Sequence, residues 1–301
     1  MSHQPRLSLA ALLTLLLVAD LLFPPPLHGR NAPQVQVVLA RDGTPLRAFP
    51  DREHIWRHPV RFDEVSPRYI EALIGFEDRA FWWHPGVNPW ALLRAGVLWL
   101  QNGRIVSGGS TLTMQVARLL EPTPRTPAGK LRQIVRALQI EMRCSKREIL
   151  EIYLRLAPMG GVLEGVEAAS RAYLGKPAQR LSESEASLLA ALPQAPSLLR
   201  PDRHPARARA ARDKVLERMA GRWSANAIAD ARQEPVIAQP VREPLLAPLF
   251  AERLRRLQPH AARIESTLDA AMQQMVEQVL ATRLGILPPR VSMAALVIDN
   301  E

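Results

Sequence analysis

From Ser66 onward, apolar residues recur at three- and four-residue intervals for most of the chain, which points to a mainly α-helical fold. The stretch Ser66 to Gly86, SPRYIEALIGFEDRAFWWHPG, shows this best. Ser66-Pro67 reads as a helix start: the serine accepts from a free backbone N–H, and proline fits the first turn. At about 100° per residue, Ile70, Leu73, Ile74 and Phe81 share one side, with Glu77 in the middle of it. The helix is expected to run to His84-Pro85-Gly86. A carboxylate on an apolar stripe loses hydration and binds a proton more tightly unless a cation pairs with it, which suits a general base. A structural glutamate held by an arginine fits the same pattern.

Before this helix, Val35, Val37 and Leu39 alternate with polar neighbours, Asp42-Gly43 is a turn signal, and Pro45 to Phe49 returns, so a small β-hairpin is expected. After it, Asn88-Pro89 opens a helix to Gly103. The glycine-rich turn Ser107-Gly108-Gly109-Ser110-Thr111 then feeds LTMQVARLL. Free N–H groups at such a helix start make an anion seat, though an ordinary glycine loop with a serine cap looks the same. Lys130 to Met142 is amphipathic. Ser145-Lys146-Arg147-Glu148 and Ser182-Glu183-Ser184-Glu185 are capping boxes opening two more helices. Ala206 to Ala220 is a helix with arginine on its outer face. Glu234 to Pro248 is proline-spaced and expected to be extended. Thr267 to Leu284 is a further helix, and Ser292 to Asp299 reads as a strand without a sheet to join, the start of a truncated α/β stub.

Net charge is +10, which calls for an anionic partner: nucleic acid, anionic lipid or a phosphorylated substrate. Aromatics are only 5%, and no GxxG loop or zinc-finger spacing occurs, so no nucleic acid is expected. The cations are nearly all arginine. Lysine occurs only at Lys130, Lys146, Lys176 and Lys214, where a compact ammonium is a mild hint of use. Cys144 is the only cysteine, which excludes an internal disulfide and a thiolate metal cluster. Leu7 to Phe23 is apolar but for Ser8, Thr14 and Asp20, follows Arg6, and lacks a small-x-small cleavage pattern before Pro24-Pro25-Pro26. It is read as a single-pass transmembrane helix with its amino end in the cytoplasm.

The order EDRAFWWHPG, GGSTLTMQVARLL, SKREILEIYL, GVEAASRAYLGK and SEASLLAALPQAP resembles the family 51 peptidoglycan glycosyltransferases, within them the 1C group of bifunctional class A penicillin-binding proteins. The match covers roughly Val35 to Arg203 and the segment beginning Ser266-Thr267-Leu268-Asp269. The resemblance implies a lysozyme-like helical glycosyltransferase domain beside a membrane anchor. Its parts would be a cytoplasmic tip and anchor (1–30), the transferase with its hairpin (31–233), a proline-rich linker (234–265) and the start of a truncated transpeptidase domain (266–301). The expected place is the bacterial cytoplasmic (inner) membrane, with the catalytic domain on the periplasmic side. The expected partners are lipid II, the growing glycan strand, the membrane and other cell-wall synthesis proteins.

The resemblance also implies roles. Glu77 would take the proton of the acceptor 4-hydroxyl, which displaces undecaprenyl diphosphate from the donor. Asp78, Arg79, Phe81 and His84 would hold that base in place. Ser110, Thr111 and Gln115 would lie near the acceptor and the diphosphates, and Lys130, Lys146 and Arg147 would stabilise the departing charge. Three positions depart from the family pattern. Gln133 stands where a second glutamate is usual, so Mg2+ or Mn2+ loses its carboxylate ligand. Met114 replaces a glutamine and Arg155 an asparagine. Neither Ser-x-x-Lys nor Lys-Thr-Gly occurs, so this chain lacks the serine transpeptidase motifs. The departures leave a non-catalytic lipid II-binding or scaffold protein as the alternative. A glycan-cleaving enzyme would also use a buried glutamate but needs no diphosphate seat.

Overall fold

A computed structural model describes residues 20, 23–27, 36–50, 55–90, 93–94, 109–124, 126–238, 246–286, 288 and 291–297. The segment read as a transmembrane helix lies almost wholly outside these, as does most of the helix expected from Asn88 to Gly103. Among the described residues no helix is long and apolar enough to cross a membrane.

The protein is mainly helical. Its strands are β1 (Gln36–Leu39), β2 (Pro45–Phe49), β3 (Trp56–Arg57), β4 (Pro158–Gly160), β5 (Leu163–Glu164) and β6 (Arg263–Glu265). The helices are α1 (Pro67–Glu77), α2 (Leu112–Leu120), α3 (Pro127–Arg143), α4 (Lys146–Leu156), α5 (Val166–Ala169), α6 (Glu183–Ala191), α7 (Pro205–Arg218), α8 (Ala225–Gln233), α9 (Pro248–Leu257) and α10 (Ala270–Leu284). Helix α1 packs on α6 and α7, and α2 packs on α3 and α4. The main core gathers around Tyr69, Leu73, Phe81, Leu112, Ile149 and Tyr153, each fully buried.

Both capping boxes form. Ser145 accepts from the Glu148 N–H while Glu148 accepts from Ser145 N at 2.8 Å. Ser182 and Glu185 do the same. Each cap is worth about 1 kcal/mol. The Asp42-Gly43 turn forms as well: Asp42 Oδ1 accepts from Thr44 N at 2.9 Å, and Gly43 takes φ of 81°.

Several expectations need correction. Ser66 does not cap α1. It is buried and its hydroxyl donates to Leu181 O at 3.2 Å, so Pro67 alone marks the start. Helix α1 ends at Glu77, not near Gly86, because the Asp78 side chain turns away to bond elsewhere and residues 78–86 become a series of turns. Arginine is not confined to the outside of α7. Arg212 is fully buried, donating to Ser184 Oγ at 3.1 Å, Asp213 Oδ1 at 2.8 Å and Arg232 O at 2.9 Å, and so clamps α6, α7 and α8 together. Residues 291–297 form no strand. They are exposed and, among the described residues, have no neighbouring strand to pair with, and an isolated strand is not stable in water.

The stretch read as a linker holds α9 and β6. β6 pairs parallel to β1, giving the sheet order β2-β1-β6. Val38, Leu46, Phe49, Ala251 and Ile264 form a second, separate apolar cluster beneath that sheet. A second small sheet, β3-β5-β4, closes over the main core.

Candidate functional site

Glu77 is the last residue of α1 and is half-buried at the helix end. The alternative of a glutamate held by an arginine does not apply: among the described residues no cation forms a salt bridge with Glu77. Two primary amides take its place. Gln115 Nε2, on α2, donates to Oε2 at 2.8 Å, and Gln194 Nε2 donates to Oε1 at 2.9 Å. Each carboxylate oxygen is thus fixed by one donor from a different element, which sets the plane of the carboxylate. Beneath it lie the phenols of Tyr69 and Tyr153, both fully buried. Burial pushes both phenols up, and the Glu77 carboxylate adds to that. Neither hydroxyl finds a hydrogen-bond partner among the described residues.

Asp78 caps α1 and faces the other way. It is buried, and its Oδ1 and Oδ2 meet His84 Nε2 at 3.0 and 2.9 Å. Gly86 N donates to His84 Nδ1 at 3.2 Å, so the ring proton sits on Nε2 and points at Asp78. Asp78 Oδ2 also accepts from Leu112 N at 3.0 Å, at the start of α2. Thr111 caps α2, accepting from Met114 N at 3.1 Å and donating to Gly86 O at 2.5 Å. The loop after α1 and the glycine-rich turn before α2 are therefore tied by Asp78, His84 and Thr111. Free N–H groups at the α2 start do not all face outward, because Asp78 and Thr111 take two of them.

Ser110 lies beside this junction and accepts from Lys130 Nζ of α3. Lys130 is half-buried. Desolvation holds its ammonium below the usual lysine range, with the Arg118 charge adding to the effect. Glu77, Asp78, Arg79, Asn88, Ser110 and Thr111 share a cavity of about 330 Å³.

The other predicted residues stand elsewhere. Phe81 is fully buried. Lys146 Nζ lies 4.5 Å over its ring and donates to His84 O at 2.6 Å and Glu141 Oε1 at 2.7 Å. Thr113 donates to the same Glu141 oxygen at 2.6 Å. Lys146 thus braces the loop. Arg147 stacks over Phe62 at 5.1 Å. Arg79 donates to Gly75 O at 3.2 Å, covering the carbonyl end of α1. Met114 is buried, and Arg155 donates to Glu151 O at 3.1 Å along its own helix. Gln133 turns its amide nitrogen to Thr123 Oγ1 at 2.8 Å. Glu121 is held by Arg132 and, at 2.8 Å, by Arg136. One amide oxygen and a carboxylate committed to two guanidinium groups do not fit a divalent ion.

Sequence reasoning missed Gln194, Glu141 and Thr113. Gln194 follows Pro193 in SEASLLAALPQAP, where nothing local marks a glutamine as a ligand of a residue 117 positions away.

A family model described as transglycosylase matches residues 42–220. Penicillin-binding protein 1C of Escherichia coli is 55% identical over 284 residues, 94% of this chain and 36% of that protein. Penicillin-binding protein 1A of Aquifex aeolicus is 43% identical over 164 residues, 54% of this chain and 23% of its own length. Penicillin-binding protein 1A of Pseudomonas aeruginosa is 38% identical over 199 residues, 65% of this chain and 24% of its own. The matched stretch is 36%, 23% and 24% of the length of these three relatives, respectively.

Proposed function

Because the chain belongs to the transglycosylase family, we propose that it lengthens peptidoglycan glycan strands from lipid II, with Glu77 as general base. The observation that carries this reading is the Glu77 carboxylate, fixed by Gln115 and Gln194 and opening onto the same cavity as Ser110. Glu77 takes the proton of the acceptor's 4-hydroxyl as that oxygen attacks the donor's anomeric carbon. The carbon–oxygen bond to the diphosphate breaks, and its electron pair leaves with undecaprenyl diphosphate. Lys130, held against Ser110, meets the negative charge that builds on the leaving oxygens. Asp78, His84, Thr111 and Lys146 act at one remove by fixing the loop that carries these groups. Arg147, stacked over Phe62, and Gln133, bonded to Thr123, are not among the residues that line the Glu77 cavity.

A polyprenyl substrate puts the site at a membrane surface. The apolar segment Leu7 to Phe23 would anchor the chain in the cytoplasmic membrane with a lysozyme-like transferase unit on its outer side. The basic surface suits an anionic bilayer.

Labelled lipid II tests the reading directly. Glu77→Gln keeps shape and loses the proton acceptor, so polymer formation should fall about 10²–10⁴-fold while lipid II binding persists. Near-normal polymerisation by this variant removes Glu77 from the reaction. Gln133 favours one second reading, a lipid II-binding scaffold; wild-type protein that binds lipid II and makes no polymer would establish it.

A further inference from the structure

A second cavity, of about 630 Å³, is lined by Ile70, Ile74, Trp82 and Trp83 together with Arg79 and Arg222. Arg79 also lines the cavity that holds Glu77, so the two adjoin across one side chain. Trp83 is 89% exposed and Trp82 43%, leaving two indoles open to water at the mouth of an apolar concavity. The acids of its wall are already engaged. Asp63 takes Arg61 at 3.2 Å, and Glu71 accepts from Trp223 Nε1 at 2.6 Å. Among the described residues no carboxylate comes within salt-bridge range of Arg79 or Arg222. The cavity therefore combines apolar and aromatic walls with two cations lacking carboxylate partners, next to the place where strands would be joined.

We propose that this cavity is a subsite for glycan strand already made, outside the catalytic cleft. This rests on the glycan-elongation reading. The C–H face of a β-linked hexose ring is apolar and weakly positive, which complements the negative face of an indole. The strand's peptide side arms carry carboxylates that Arg222 can pair with, and a guanidinium binds a carboxylate through two parallel hydrogen bonds. A bilayer surface also attracts tryptophan and arginine, but it is broad and cannot enter a concavity, whereas a polymer one sugar wide can.

Calorimetric titration of the full chain with a lipid-free glycan fragment of several disaccharides tests this. A fragment carrying peptide arms should bind, and Trp83→Ala should weaken it about tenfold, with Trp83→Phe retaining most of the affinity. Arg222→Ala should weaken the peptide-bearing fragment and leave a peptide-free fragment unaffected. Trp83→Ala binding the fragment as wild type does would overturn the subsite. So would vesicles of anionic phospholipid binding through Trp83 while the fragment does not, which would make the patch a membrane face. Fragment binding is read without turnover. A chain that binds the fragment through Trp83 yet makes no polymer loses the transferase reading and keeps the subsite; one that polymerises lipid II yet ignores the fragment does the reverse.

Discussion

Burial sets two basic side chains, Lys130 and His58, and both should show it in pH dependence. Lys130 is half-buried, and desolvation lowers its ammonium's hold on the proton. As pH rises, it loses its charge earlier than a free lysine, and with it the stabilisation of the leaving diphosphate that we propose for it. Polymerisation should therefore decline on an alkaline limb below the ordinary lysine range. Lys130→Arg, which stays charged, should move that limb upward even where its rate is lower. Lys130→Ala should cost about 10²–10³ in rate, the usual worth of one positioned charge in a transition state. An unchanged alkaline limb in Lys130→Arg would remove Lys130 from the leaving-group site. His58 is buried beside Arg171, and desolvation first, then that charge, lower it to about 4. The unfolded chain holds a histidine proton up to about pH 6.5. Between about pH 4 and 6.5 the unfolded state binds more protons, so stability falls as pH falls through that window. At pH 5 the loss is about 2 kcal/mol relative to pH 7. Thermal melts at pH 7 and 5 should show a smaller drop for His58→Gln than for wild type. Equal drops would mean that His58 stays protonated in the folded chain.

At the scale of elements, the loop from Asp78 to Gly86 carries the most constraint. Gly86 has φ of 86°, and a Cβ there would sit 2.7 Å from Glu141 Cγ and 2.8 Å from Ala137 O. Gly86→Ala should cost at least about 1–3 kcal/mol for backbone strain alone. It should also cut polymerisation, since Gly86 O holds Thr111 and Gly86 N holds His84. Gly43 offers the control, with φ of 81° and nothing within 4 Å of an added Cβ. Gly43→Ala should lower the melting temperature without lowering the rate. If both variants lose rate equally, the loop does not position the site.

What could be read beforehand was what neighbours in sequence decide: the capping boxes at Ser145 and Ser182, the Asp42-Gly43 turn, and Glu77 on its apolar stripe. Partners far along the chain were not legible. Ser66 carries a capping residue's chemistry, but Leu181 claims its hydroxyl. The resemblance gives Lys146 to the departing diphosphate, but nothing in the sequence shows that Glu141 and His84 O already accept from its ammonium. Helices α8 and α9 were missed because each is short and flanked by proline or polar residues, so periodicity had little length to register. Ser224 does cap α8, accepting from Ala227 N at 3.2 Å.

At the scale of the molecule, the apolar cluster beneath the β2-β1-β6 sheet stands apart from the main one in the helical body. Separate clusters open separately, each with its own free energy. Ile264 is 1% exposed in the smaller cluster. Ile264→Asp would bury a carboxylate without a partner, which the sheet can avoid only by releasing β6. Hydrogen exchange should then speed up at Val38 and Leu39 while amides in α4 keep wild-type protection. Loss of protection in α4 as well would show one cooperative unit.

The central strand of that sheet sets a timetable. Val37 pairs with Arg263, and Val37 N donates to Ala262 O at 2.9 Å. A ribosome adding about 5–20 residues per second needs roughly 10–45 s to travel from the first of these positions to the second. For that interval the β1–β2 hairpin has one flank of backbone donors and acceptors with nothing to bind, next to the apolar side chains of Val38, Leu46 and Phe49. A nascent chain in that condition is a template for pairing with another like it. The last small strand to emerge, three residues long, is what closes it.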